Sequence, residues 1–188
     1  GVGIDVLVAN AGIFAPERVI NADGVETSLA VNYLGHVALE QWLGAQLASN
    51  AKVIHVSSIA HSRGSLHADL SLTDGYTGYA AYAQSKLAQV MYCLWQAGQG
   101  SPRAYVSLHP GVIGTKLLRQ GFGPVRGDTT EAGARTSVGL ATGELQPPSG
   151  SYMSDGRVTP PSHAAQDTES QARLWRWTES MLVAAGRR

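Results

Sequence analysis

The sequence predicts an α/β domain with a mostly parallel sheet and helices packed against it. Short apolar runs rich in β-branched residues alternate with longer segments that have a helical hydrophobic period. The apolar runs are nearly continuous and lack the alternation of a half-exposed strand, which indicates strands covered on both faces. Turn-forming residues follow these runs, so we expect short and separate strands.

The first half of the chain contains two predicted strands and one long helix. A strand over residues 4–9 ends at Asn10, and a second strand covers residues 52–57. Between them we predict a helix over residues 24–47, with Asp23 as its N-cap and Glu26 as the partner in a capping box. Residues 61–78 are rich in glycine, serine, aspartate and threonine, which favours a loop.

The second half continues the same alternation. A helix over residues 79–96 precedes a strand over residues 104–108. The remaining predicted elements are a Gly-rich loop at 119–127, a helix at 130–140, a strand at 151–153 and a last helix that is capped by Asp167 or Thr168 and ends at Gly186.

Composition limits the classes of function. The 188 residues, of which 44% are hydrophobic and 15% charged, suit a single globular domain spanning residues 1–188. Lys plus Arg equals Asp plus Glu at 14 each, so no basic excess indicates nucleic acid or an anionic membrane. No apolar run is long enough to span a bilayer. The single cysteine, Cys93, excludes an internal disulfide framework, and we expect a cytoplasmic location.

Polar residues follow three of the predicted strands. Asn10 follows the first, Ser57 and Ser58 close the second, and His109 follows the third. Ligands bind beyond the carboxyl ends of the strands in open parallel sheets. The sequence therefore predicts a ligand site at this edge. The six histidines show no metal-ligand spacing, so we expect no metal.

Tyr82 and Lys86 are the residues best suited to proton transfer. They are four positions apart on a predicted helix and so share one face. A phenol has an ordinary pKa of about 10, and a nearby ammonium lowers that pKa by favouring the phenolate. The pair can therefore exchange a proton with an alcohol or carbonyl oxygen.

Five short stretches in order resemble the short-chain dehydrogenase/reductase family, and most closely its retinol-dehydrogenase-like branch. They are Asn10-Ala11-Gly12, Val31-Asn32-Tyr33-Leu34-Gly35, Val56-Ser57-Ser58, Tyr82-Ala83-Gln84-Ser85-Lys86 and Pro110-Gly111-Val112. The resemblance implies that Tyr82 is the general acid/base and that Lys86 lowers its pKa and holds the nicotinamide ribose. It also implies that Ser58 orients the substrate oxygen and that Asn32 binds a water that links Lys86 to solvent.

The resemblance also implies a nicotinamide cofactor, NADP or NAD, with NADP slightly favoured. The implied cofactor-binding residues are Asn10, Ala11, Gly12, Tyr82, Lys86, Pro110, Gly111, Val112 and Thr115. Residues 116–128 would form a mobile substrate-binding loop. The implied partners are a small-molecule alcohol or carbonyl substrate and a second copy of the chain, in a homodimer formed through helices 24–47 and 79–96.

One part of the family pattern has no counterpart in this sequence. Family members begin with a strand, a Gly-rich turn and a helix that bind the cofactor pyrophosphate. Gly121-Phe122-Gly123 does not supply that turn, because it does not follow a strand and Pro124 comes next. We therefore expect a partial Rossmann-type three-layer α/β/α domain without the first βαβ region, whose first strand leaves an apolar edge exposed. Two functions remain open: a nicotinamide-dependent oxidoreductase, or a truncated, non-catalytic binding or scaffold protein on the same fold.

Overall fold

The computed structural model describes residues 3–184 and 186 and contains a five-stranded sheet whose spatial order follows the chain order. The strands are β1 Ile4–Ala9, β2 Leu47–Val56, β3 Ala104–His109, β4 Ser151–Ser154 and β5 Arg157–Val158. β1 to β4 are parallel, and β5 returns antiparallel to β4. The predicted α/β class with a mostly parallel sheet is confirmed.

The helices lie between and after the strands. They are α1 Thr27–Leu29, α2 Gly35–Trp42, α3 Gly78–Gly98, α4 Lys116–Phe122, α5 Thr130–Thr142, α6 His163–Gln166 and α7 Thr168–Ala184. A π-helical segment, Ala30–Leu34, joins α1 to α2, and these three segments together, Thr27–Trp42, are called the first helix. A 3-10 helix, Ile59–Arg63, follows β2. Within residues 3–184 and 186, none of these helices combines the length and the apolarity that a bilayer crossing requires.

Two hydrophobic cores cover the two faces of the sheet. On one face Val53 and Tyr105 belong to the core formed with α2, α3 and α7. On the other face Ile54 and Val106 pack with Leu140 of α5. Because successive strand residues point to opposite faces, these two cores give the three-layer arrangement that the sequence predicts.

The first strand leaves one of its edges without a partner strand. In the described part of the chain β1 pairs only with β2, from Ile4 opposite Leu47 to Ala9 opposite His55. Among the described residues no strand pairs with the other edge of β1.

The start of the first helix corrects the predicted cap. Glu26 is the N-cap, because its carboxylate accepts the backbone N–H groups of Ser28 and Leu29, each at 2.9 Å. Asp23 lies in a preceding turn, where its own N–H is bound by the side chain of Asn21. The predicted capping box is therefore wrong, and the helix begins at residue 27 instead of 24.

Other boundaries also differ from the predictions. The first helix ends at Trp42, and β2 begins at Leu47, five residues before the predicted start. The predicted loop at 61–78 starts inside the 3-10 helix. Residues 116–122, the first part of the loop predicted at 116–128, form α4 instead, and the Thr115 hydroxyl caps this helix by accepting the N–H of Leu118 at 3.3 Å. Neither β5 nor α6 is predicted by the sequence.

The last helix covers part of α3 within one chain. Asp167 caps this helix by accepting the N–H of Ser170. The Trp175 ring lies 5.9 Å from that of Tyr92, and Thr178 is hydrogen-bonded to Tyr33 at 2.8 Å. Exposed apolar side chains of the first helix are Val31, Leu39 and Trp42. Homodimerisation through the first helix and α3 stays a prediction.

His55 of β2 is an unusual buried group. Its side chain is completely buried, and neither ring nitrogen has a hydrogen-bond partner among the described residues. Its ring lies 5.7 Å from that of His36 and 5.3 Å from that of Tyr92. Burial above all, followed by His36 and Lys86, lowers the pKa of His55 to about 3.

We expect His55→Leu to stabilise the chain, and to do so more strongly in acid. Leucine removes two unpaired polar atoms from the core, which should raise the free energy of unfolding by about 1 kcal/mol. The folded pKa of about 3 lies below the ordinary 6.5, so the unfolded chain binds an extra proton between these values. The contribution of the neutral His55 ring to the free energy of unfolding is therefore fully present above pH 6.5 and is about 2 kcal/mol smaller at pH 5.

Urea unfolding at pH 7.5 and pH 5.0 measures both effects, with the exposed His67→Leu as the matched control. The gain should be larger at pH 5.0 for His55→Leu, and the control should show neither effect. A loss of stability for His55→Leu at both pH values would contradict the interpretation that the ring is unpaired.

Candidate active site

A cleft of about 990 Å³ lies at the carboxyl ends of the parallel strands. The predicted site residues that line it are Asn10, Gly12, Ser58, Tyr82, Lys86, Pro110, Gly111, Val112 and Thr115. Ala11 and Asn32 lie outside this lining. The structure thus brings nearly all of the predicted residues together at the predicted edge of the sheet.

Helix α3 is fixed to the end of β2 by two buried hydrogen bonds. The Ser57 hydroxyl donates to the backbone carbonyl of Lys86 at 2.8 Å. The Lys86 Nζ donates to the backbone carbonyl of Val56 at 2.9 Å. Each element therefore donates a side-chain hydrogen bond to the backbone of the other, which fixes the helical turn that carries Lys86.

The same contact brings Tyr82 next to Ser58. Tyr82 is 5% exposed and lines the cleft beside Ser58; burial raises the pKa of its phenol, and the nearby Ser58 side chain opposes that shift in part. The Lys86 Nζ lies 5.7 Å from the centre of the Tyr82 ring, as expected for residues four apart on a helix. Ser57, in contrast, is engaged with the backbone of α3, so Ser58 is the serine that faces Tyr82.

The electrostatics of the pair differ from the sequence prediction. Burial raises the pKa of Tyr82, and the opposing effect of the Ser58 side chain is the smaller cause. Burial also lowers the pKa of Lys86 to about 7. The predicted lowering of the Tyr82 pKa by Lys86 is therefore wrong for this state, because both groups are desolvated and the ammonium is bound to Val56.

Asn32 lies in the π-helical segment and joins the first site loop to α3. Its side-chain oxygen accepts the N–H of Ile13 at 2.8 Å, and its nitrogen donates to the Ile13 carbonyl at 3.0 Å and to Ser85 at 2.9 Å. Both amide hydrogens are therefore used within the protein. A Cβ atom added at Gly12 would lie 3.5 Å from both Asn32 Oδ1 and Lys86 Nζ, so these two atoms face one small space.

The segment after β3 forms another side of the cleft. Gly111 has φ of 97°, a conformation that side chains rarely adopt, and it lies between Pro110 and Val112 at the cleft wall. Thr115 both lines the cleft and caps α4.

Sequence reasoning missed an aromatic cluster around Tyr82. The ring centre of Phe14 lies 5.7 Å from that of Tyr82. The ring centre of Phe122, on α4, lies 6.0 Å from that of Tyr82 and 5.8 Å from that of Phe14. Tyr79 contacts Phe122 at 5.9 Å. The position of Tyr79, three residues before Tyr82 on α3, could have indicated that Tyr79 shares the helix face of Tyr82. Phe14 and Phe122 meet Tyr82 only through the tertiary fold.

The described residues, 3–184 and 186, contain no group of three or more His, Cys, Asp or Glu side chains that could hold a metal ion. The polar side chains that line the cleft include the Lys86 amine, the hydroxyls of Ser58 and Tyr82, and the side chains of Asn10, Arg63 and His109.

Comparisons with known proteins identify the family. No protein-family model matches the chain. Retinol dehydrogenase 12 of Bos taurus is 36% identical over 187 residues, which cover 92% of this chain and 59% of that protein. A Streptomyces antibioticus protein named "Probable oxidoreductase" is 36% identical over 224 residues, covering 97% of this chain and 73% of that protein. The chain thus spans about three fifths of the length of the retinol dehydrogenase.

A solved structure agrees with these relatives. The crystal structure of an uncharacterized protein from Mycobacterium paratuberculosis superimposes with a TM-score of 0.78 at 30% identity, covering 96% of this chain and 68% of that one. The motifs occur in family order, and the fold and the relatives agree with them. The chain belongs to the short-chain dehydrogenase/reductase family, in its retinol-dehydrogenase-like branch.

Proposed function

We propose that this chain carries the catalytic part of an oxidoreductase that transfers a hydride between a nicotinamide cofactor and an alcohol or carbonyl substrate. The observation that carries this proposal is the meeting of Ser58, Tyr82 and Lys86 in one cleft at the strand ends. The Ser58 side chain is near enough to Tyr82 to lower the pKa of its phenol, and Lys86 lies on the same helix face as Tyr82. Membership of the family supports the same conclusion.

The cleft has features that suit a nicotinamide nucleotide. The Lys86 ammonium has three N–H groups, and only one of them is bound within the described residues, by Val56. The other two are free for ribose hydroxyls in the cleft that Lys86 lines. The Gly111 backbone carries no side chain that would keep a ring away. We propose Asn10, Ala11, Gly12, Pro110, Gly111, Val112 and Thr115 as the other cofactor contacts, with NADP slightly favoured over NAD.

The bound cofactor would supply the hydride, and the side chains would manage the substrate oxygen and its proton. Because the pKa of Tyr82 is raised, its hydroxyl is protonated at neutral pH and can donate to a carbonyl oxygen. The Ser58 hydroxyl, which lines the cleft beside Tyr82, would hydrogen-bond the same oxygen and orient it. In the reverse direction the phenolate takes a proton from the alcohol, and the Lys86 ammonium stabilises that charge when it is protonated.

The wall around Tyr82 favours a substrate with an apolar body. Ile59, Leu117 and Phe122 line the cleft beside the polar residues. A polar reacting oxygen can therefore meet Ser58 and Tyr82 while the rest of the molecule contacts apolar side chains. The substrate class that we propose is a small-molecule alcohol, aldehyde or ketone with a hydrophobic portion.

Substitution of Tyr82 by phenylalanine tests the proposed acid/base role. We expect Tyr82→Phe to reduce cofactor oxidation with a panel of apolar aldehydes and ketones by at least about 100-fold, because it removes the transferred proton. Tyr33→Phe is the matched control, since Tyr33 is buried against α7, away from the cleft, and its substitution also removes one hydroxyl.

The assay is run on this 188-residue chain and on the product of the full reading frame that encodes it. Full activity of Tyr82→Phe would contradict the mechanism. Failure of both forms to bind NADPH or NADH would favour the non-catalytic binding or scaffold protein.

The charge of Lys86 predicts how cofactor binding depends on pH. With a pKa of about 7, the amine loses its charge as pH rises through neutrality. We expect the dissociation constant for NADPH, measured by its fluorescence, to rise up to about tenfold per unit above pH 7. Lys86→Met should bind more weakly and remove this dependence.

Lys52→Met provides the control for that experiment. Lys52 also donates to a backbone carbonyl, that of Leu140 at 2.7 Å, but it lies outside the cleft lining. Its substitution should leave the pH dependence intact. An unchanged slope in Lys86→Met would contradict the assignment of the titration to Lys86.

A further inference from the structure

His61 lies next to the proposed site without lining the cleft. It is 2% exposed in the 3-10 helix that follows β2, and its neighbours Ala60 and Ser62 line the cleft although it does not. Any effect that it has on the reaction must therefore act through another residue.

The hydrogen bonds of His61 define its tautomer. Its Nε2 accepts the backbone N–H of Ser162 at 3.2 Å. A backbone N–H can only donate, so Nε2 is unprotonated and the ring proton is on Nδ1. Nδ1 lies 2.8 Å from the backbone carbonyl oxygen of Ser58 and donates its proton to it.

The ring is also fixed by packing. Its centre lies 4.5 Å from that of the buried Tyr152 ring of β4. On the far side, Ser162 is the N-cap of α6, where its hydroxyl accepts the N–H of Ala165 at 3.3 Å. His61 thus connects the end of β2 to the start of α6, about 100 residues later in the chain.

We propose that His61 is a positioning residue for Ser58: its ring connects the Ser58 carbonyl to the backbone N–H of Ser162 and so holds the Ser58 hydroxyl in the cleft beside Tyr82. The proposal rests on the proposed function, in which that hydroxyl orients the substrate oxygen. Ser58 itself has an extended backbone, and its side chain accepts the N–H of Ala60 at 3.1 Å. The peptide of Ser58 is therefore held from both sides, by Ala60 through the side chain and by His61 through the carbonyl.

A pair of substitutions at Ser162 tests the connection while His61 stays in place. Ser162→Pro removes both the cap hydroxyl and the backbone N–H that binds His61. Ser162→Ala removes the hydroxyl alone. The φ of Ser162 is −60°, which proline adopts without strain, and so the fold should be retained. The difference between the two variants isolates the hydrogen bond to His61.

The first readout is spectroscopic and does not depend on activity. ¹⁵N NMR of labelled histidine should show the Nδ1–H tautomer of His61 in the unmodified chain and in Ser162→Ala, and a mixture of tautomers in Ser162→Pro. The Ser58 resonances should shift in Ser162→Pro relative to Ser162→Ala. An Nε2–H tautomer in the unmodified chain, or identical Ser58 resonances in the two variants, would overturn the proposal even if no substrate is turned over.

The second readout separates positioning from binding in an active form. We expect kcat of Ser162→Pro to be on the order of tenfold below that of Ser162→Ala, with the same dissociation constant for NADPH. His61→Asn, whose amide can still donate to the Ser58 carbonyl, should retain more kcat than His61→Phe. Equal kcat in the two Ser162 variants would overturn the positioning role. Absence of all turnover in the unmodified chain would count against the proposed function instead.

Discussion

The attachment of α3 to the end of β2 is the constraint on which the site depends. Ser57 and Lys86 each donate to the backbone of the opposite element, and both bonds are buried. A shift of α3 by one residue would rotate its side chains by about 100°. Such a shift would break both bonds and turn Tyr82 away from Ser58. The position of the proposed acid/base is therefore fixed by the packing that forms the core.

The same helix is also bound to the first helix through polar pairs. Three buried hydrogen bonds repeat along this interface: Asn32 with Ser85, His36 with Gln89, and Glu40 with Tyr92. The first-helix residues are four apart and so lie in one row. In an otherwise apolar interface such pairs favour one register, because a slip would leave buried polar groups unpaired. Burial, which gives these bonds their weight, also shifts the pKa values of Tyr82 and Lys86.

The sequence could predict what backbone geometry alone determines. The shared face of Tyr82 and Lys86 follows from helical spacing, and the clustering of Asn10 and Ser58 follows from parallel strands. Glu26 caps the helix in place of the predicted Asp23, and the hydroxyl of Tyr76, 50 residues later, donates to the same carboxylate at 3.2 Å. No local pattern contains that contact.

The pKa shifts in the site could not be predicted from the sequence either. The raised pKa of Tyr82 depends on burial by side chains distant in the sequence, such as Phe14 and Phe122.

The most direct test of the account is an NMR titration of the Lys86 amine with ¹⁵N-labelled lysine. A buried amine bound to the Val56 carbonyl should titrate at about pH 7. Titration near the ordinary value of 10.5 would show a solvated amine and contradict the attachment of α3 to β2 through Lys86.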